Sequence, residues 1–197
     1  MKPKVLLLLC AALLVAVPSF GQKLKVESGK VDALEGITKL KIVYDYSDLG
    51  VGKFEVEDDY IAKKVADMNE DEAGTGDNWK ESWFNDRPTR YEPKFEELFT
   101  KYAAFIESGQ EVDADITMLV HTTFIEPGFN VGVARKSASI NLEVSFLKGD
   151  SELFKVLLLN APGSGGVGFD FDTGWRISES YAKAGKSLGK YLTKNLD

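Results

Sequence analysis

Few side chains in this chain can do chemistry. His121 is the single histidine and Cys10 the single cysteine. A Ser-His-Asp or Cys-His relay would have to use His121, yet there is no G-x-S-x-G elbow. A histidine zinc site would lack its second histidine. His121 lies within an apolar run and reads as a sheet histidine with its ring nitrogens satisfied. No catalytic residue, metal site or cofactor is assigned.

Carboxylates remain. Asp170 and Asp172 alternate with Phe169 and Phe171, so in extended chain both acids project to one side. Such a pair could hold calcium. With an acidic residue from the segment around Trp79 and Trp83, it could also supply the acid and base of a glycan hydrolase, given a cleft with carboxylates about 5–9 Å apart. Gly174 falls at the wrong offset for an EF-hand. The stretch Asp67-Met68-Asn69-Glu70-Asp71 has Glu72 in the glycine position and Asn78 where the bidentate Glu belongs. Both segments read as solvated acidic loops, with Asp172 and Thr173 capping a helix. Gly163-Ser164-Gly165-Gly166-Val167-Gly168 matches G-x-G-x-x-G. Its last glycine does not open a helix, as a pyrophosphate site requires, and a turn-rich loop is the plainer reading.

Aromatic residues offer binding surface instead. Trp79 and Trp83, four apart, share a helical face. Phe84 and Arg87 follow, among Asn78, Asn85, Asp86 and Arg90. Such groups suit a sugar ring or a protein partner, or they clamp a short segment to the core. Phe129 sits on the strand connection Glu126-Pro127-Gly128-Phe129-Asn130, and Trp175 follows the glycine-rich stretch. The expected binding set is Trp79, Trp83, Phe84, Arg87, Phe129, Asp170, Asp172 and Trp175.

The elements that would position these residues follow from periodicity. Leu24–Glu27 alternates as a short edge strand. Ile37–Tyr46 alternates with Leu40, Ile42, Tyr44 and Tyr46 inward. Positions 47–52 read as a loop. A helix is expected from Asp58 to Met68, and then a polar loop from Asn69 to Asn78. The short Trp79–Phe84 segment comes next, broken at Asp86-Arg87-Pro88. Pro93 opens a helix carrying Phe95, Leu98, Phe99, Tyr102, Phe105 and Ile106, ended by Ser108-Gly109. Asp115–Ile125 is apolar on both faces, as a central strand should be. Ala138–Leu147 and Leu153–Leu159 form a hairpin around Lys148–Ser151. The last helix spans Thr173 to Asn195. The expectation is one α/β (α+β) domain over 22–197, with a single mixed sheet of four to five strands, helices packed on it, and the order β-α-α-α-β-β-β-α.

The first residues set the compartment. Lys2 and Lys4 precede an apolar run, Val5–Val17, too short to span a bilayer. Ser19 and Gly21 then occupy the small-residue positions of a cleavage site, so 1–21 reads as a signal peptide. Cys10 would leave with it. Taking Lys2 and Lys4 from the 24 basic residues leaves 22 against 31 acidic, a net charge of −9 (22 minus 31). That surface repels nucleic acid and anionic lipid. No second long apolar run implies a transmembrane segment. The protein is expected in the periplasm or secreted.

Several stretches carry a resemblance: Val43–Ser47, Glu92–Phe99, Thr122–Gly132 and Gly168–Gly174. Together with the Ser19-Phe20-Gly21-Gln22 ending, they resemble a family of exported Bacteroidetes proteins, which brings no established activity. The element order is similar to the small α/β modules related to the TolB amino-terminal domain and the curli secretion lipoproteins. That likeness implies an assembly role. The function expected is a non-enzymatic envelope binding or assembly module with a protein or glycan partner. The alternatives are the carboxylate-dependent glycan hydrolase and a calcium-stabilised structural protein.

Overall fold

The computed structural model describes residues 21–131, 134–163 and 172–197. Positions 1–20 of the expected leader, positions 164–168 of the glycine-rich motif, and Asp170 lie outside the described residues.

The described residues begin with β1 (Lys23–Gly29), a 3-10 turn (Val31–Leu34), β2 (Lys39–Asp45) and β3 (Gly50–Val51). Helices α1 (Glu57–Asp71) and α2 (Thr75–Asp86) follow, then a wide π-type turn (Arg87–Tyr91) and α3 (Glu92–Tyr102). Next come β4 (Glu107–Gly109), β5 (Ile116–Glu126), β6 (Phe129–Asn130) and β7 (Arg135–Lys136). The chain closes with β8 (Ser139–Lys148), β9 (Ser151–Pro162) and α4 (Thr173–Leu196).

Among the described residues the main sheet has seven strands in the order β1-β9-β8-β5-β2-β4, with β3 also paired to β5. Strands β2 and β4, β2 and β5, and β3 and β5 pair in parallel. The β5, β8, β9 and β1 pairings are antiparallel. The sheet is therefore mixed, as expected, but larger than the expected four to five strands and differently ordered. The additions are β3, in a stretch read as loop, and β4, where Ser108-Gly109 was read as a helix end. Strands of two or three residues are too short to show alternation. The helix meant to reach Ile106 stops at Tyr102. Ile106 is buried because it leads into β4.

Pro88 does not break the chain's helical course. Helix α2 runs through the wide turn directly into α3. A proline in an ordinary helix clashes with the carbonyl four residues back and lacks the donor for it. Widening one turn changes that register, and such turns occur as single insertions within helices.

One sheet face carries the core. Leu40, Met118, Val120, Leu142, Val144 and Val156 are fully buried, as are Phe95, Phe99, Leu188 and Leu192 of the covering helices. Helices α3 and α4 meet along Gly185 and Gly189, one turn apart. A Cβ at Gly185 would lie 2.3 Å from the Phe95 carbonyl oxygen, and one at Gly189 2.9 Å from that of Phe99. On the opposite face the central strands carry mostly half-buried side chains, with Ser145 buried, and among the described residues no helix covers it. No helix of the described residues is long and apolar enough to cross a membrane.

Candidate functional site

The first turn of α4 is where the separated segments meet. Asp172 caps it: Oδ1 accepts from the Trp175 amide at 3.1 Å. Its Oδ2 accepts from Arg90 Nη1 at 2.7 Å. Arg90 turns its Nε to Asp86 Oδ1 at 3.0 Å. One guanidinium thus bridges the end of α2 to the start of α4. The approach is close because residue 174 is glycine; a Cβ there would fall 1.9 Å from Asp86 Oδ2. Partial burial pushes the Asp172 carboxyl up. The hydrogen bonds from Arg90 and the Trp175 and Gly174 amides outweigh that and hold it below its ordinary range. Asp86 goes the other way: burial raises it, Arg90 opposes, and the Asp172 charge adds to the rise.

The tryptophan segment is fastened from beneath. Trp83 is 4% exposed, and its indole N–H donates to Glu57 Oε1 at 2.7 Å. Arg87 Nη2 donates to both Glu57 oxygens at 2.6 Å. The Arg87 guanidinium lies 4.3 Å from the Tyr46 ring centroid and 4.9 Å from that of Phe84. Trp79 is half-buried, edge-on to Tyr60 at 5.7 Å and 5.5 Å from Trp83. The shared face read from the spacing is real, and it is turned onto α1. Trp83 offers a partner no ring face. Trp79 and Arg87 act from behind the surface.

What remains in solvent is Trp175 at 46%, Phe129 at 45% and Phe84 at 36%, with Val131 beside Phe129. Phe129 belongs to the small ribbon β6–β7. Its root is tied to α4, since Arg176 Nε donates to the Pro127 carbonyl at 3.4 Å. Lys136 of β7 pairs with Glu126 at the end of β5. Burial raises the Tyr60 phenol to about 12; the Glu126 charge adds to this and the Arg176 charge opposes it. The three exposed rings therefore stand on α2, the ribbon and α4, each fastened to α4's first turn. Asp170 lies outside the described residues.

The other candidates resolve to structural contacts. His121 Nε2 is 2.8 Å from the Ser47 carbonyl and 3.9 Å from Asp45 Oδ2. The Ser47 hydroxyl donates to Asp45 at 2.8 Å rather than to the imidazole, so no nucleophile–base relay forms here. In the stretch read against an EF-hand, Asn69 Oδ1 accepts from the Gly74 and Gly76 amides, and its amide donates to Asp77. Asp67 pairs with Lys63. Among the described residues no group of three or more His, Cys, Asp or Glu is arranged to hold a metal.

Sequence reasoning missed a polar seam between α3 and the sheet. The Tyr46 hydroxyl donates to Glu92 Oε1 at 3.3 Å, and that of Tyr44 reaches Glu96 Oε1 at 3.3 Å. Gln110 Nε2 donates to Glu92 at 3.3 Å and to Glu96 at 3.0 Å. Burial raises the Glu92 carboxyl, against the hydrogen bonds from Tyr46 and Gln110. Deeper in, Tyr181 shares a 2.7 Å hydrogen bond with Thr122 and stacks on Tyr91 at 5.1 Å. The one available signal was the inward assignment of Tyr44 and Tyr46, since buried phenols require partners. Compared with protein-family models, with curated proteins and with solved structures, the chain matches none.

Proposed function

We propose that this chain is a non-enzymatic binding module of the cell envelope, exported as a precursor, that grips a partner through the rings around α4's first turn. The observation that carries this reading is the contrast between support and surface. Trp83, Glu57 and Arg87 are inward and mutually satisfied, while Phe84, Phe129 and Trp175 are held outward on three braced elements. Exposed large aromatic side chains on rigid elements suit partner recognition, and rigid aromatic anchors supply much of a partner's binding energy. The hydrolytic alternative draws on Asp172 beside Asp170 and an acid of the tryptophan segment, and both Asp172 oxygens are engaged, by Arg90 and by the Trp175 amide.

The test pairs two variants. Trp175→Ala with Phe129→Ala should abolish capture of a partner from envelope extract, or of a sugar on a glycan array, with the melt almost unchanged. Trp83→Ala should cost about 3–5 kcal/mol of stability, as large buried aromatics do. Full capture by the Trp175/Phe129 double variant would remove the proposal.

A further inference from the structure

The geometry points to a second binding surface: the last turns of α4, with the end of α3, dock on an anionic lipid surface. This surface does not depend on the rings at the other end of α4. From Ser180 to Leu196 that helix carries Lys183, Lys186, Lys190 and Lys194 and not one Asp or Glu. At 3.6 residues per turn the four fall within roughly 80° of one another, in one stripe about 16 Å long. Lys101, at the end of α3, joins it. The ammonium groups of Lys190, Lys186 and Lys101 lie 5.0, 5.3 and 6.0 Å from the centroid of a single ring, that of Tyr102. The electron-rich face of a phenol attracts cations, and here it gathers three of them in one place. Lys183 donates to the Gly163 carbonyl at 3.1 Å. Among the described residues none of these five lysines is ion-paired. Glu97 pairs with Lys94 at 2.8 Å instead, and the Glu179 charge acts on that same lysine. Like charges held this close repel, and an anionic surface brought against them relieves the repulsion.

The composition of the patch selects its partner. It is all lysine, and the chain's arginines, Arg87, Arg90, Arg135 and Arg176, lie elsewhere. The planar fork of arginine reads the geometry of one carboxylate or phosphate, whereas lysine on its flexible stem acts as a point charge. A lysine stripe therefore suits a field of loosely placed charges rather than one defined group. Among the described residues no exposed large hydrophobic lies on α3, or on α4 beyond Trp175. A protein partner would need an apolar centre to the contact. Single-stranded nucleic acid would need an open ring to stack on, and the Tyr102 ring is half-buried and faced by ammonium groups. Lipid headgroups need neither. The whole chain carries −7, which taken alone means repulsion from such a surface. Screening decides otherwise, since at physiological salt a charge is felt over only about 8 Å. Acids on the far side of the molecule are hidden from a surface that touches the stripe.

Co-sedimentation of the purified protein with vesicles tests this. One set is phosphatidylcholine alone, and the other is phosphatidylcholine with an equal part of phosphatidylglycerol. Binding to the anionic set only, lost at high salt, is expected. Each lysine near such a surface is worth about a fivefold gain in partitioning. Lys186→Gln with Lys190→Gln should therefore weaken binding roughly 25-fold, and Lys194→Gln alone, at an exposed position in the last turn, about fivefold. Lys63→Gln with Lys80→Gln, on α1 and α2, should leave binding unchanged, and all the variants should keep the parent's melt. An apolar leader is common to every protein compared and drops out of the comparison. Equal binding to both sets, binding to neither, or binding that the α4 variants leave intact overturns the proposal. So does a protein that passes over the vesicles yet is held through the same lysines by duplex DNA or an acidic peptide.

Discussion

Asp86 and Asp172 share Arg90 and yet sit on opposite sides of the ordinary carboxylate range. The difference is one of donors. Asp172 also accepts helix amides, which favour its charged form, whereas Asp86 is more enclosed and feels its neighbour's charge. The two must therefore contribute oppositely to stability as pH changes. Asp172, lowered on folding, stabilises above the ordinary carboxylate range and loses that contribution as pH falls through its folded value. Asp86, raised on folding, favours the fold at low pH and loses that contribution as pH rises through its folded value. Denaturant unfolding measured from about pH 3 to pH 7 reads both. Asp172→Asn should flatten the acid-side loss. Asp86→Asn should instead steepen the net rise of stability with pH, because it removes an opposing slope. Identical effects from both variants would mean that the Arg90 bridge works as a single charge pair.

At the scale of elements, the long strands and α4 were legible because ten or more residues show a period. Ile140, Leu142, Val144 and Phe146 were assigned to one face, and all four are fully buried. The β8–β9 hairpin turns where Lys148–Ser151 indicated. The seam between α3 and α4 was not legible. Nothing local to Gly185 and Gly189 announces that another helix's carbonyls lie where their side chains would be. The site was half legible for the same reason. Trp79 and Trp83 declared a common face, but which body that face met depended on α1. Gly185→Val tests the seam. A valine there would push into the Phe95 carbonyl, and the overpacking should cost about 1–3 kcal/mol or more, seen as a lower unfolding midpoint. An unchanged midpoint would show that α4 can back away from α3 freely.

At the scale of the molecule, the chain's first strand completes the sheet beside its last. Lys23 pairs with Leu159 and Val26 with Val156. Strand β1 is an edge, and it bears Lys23, Lys25 and Glu27, with a register shift after Val26. Charges and bulges are the usual means of discouraging a further strand from adding. Strand β9 beneath it carries Glu152 and Lys155 near its start, but Val156–Leu159 is an unbroken apolar run. Deleting residues 22–29 should therefore yield a protein that aggregates with time, followed by light scattering and a rise in amyloid-dye fluorescence. A monodisperse truncated protein would show that β9 guards itself.

That pairing also has a consequence in time. A ribosome releases this polypeptide amino end first, so β1 appears long before the hairpin that receives it. Until β9 arrives, the earliest segment has nowhere to dock, and β2 likewise waits for β5 across all the intervening helices. The native sheet cannot close piecemeal behind the emerging chain. Closure is deferred until nearly all of it is out, so the early strands stay unpaired for most of synthesis.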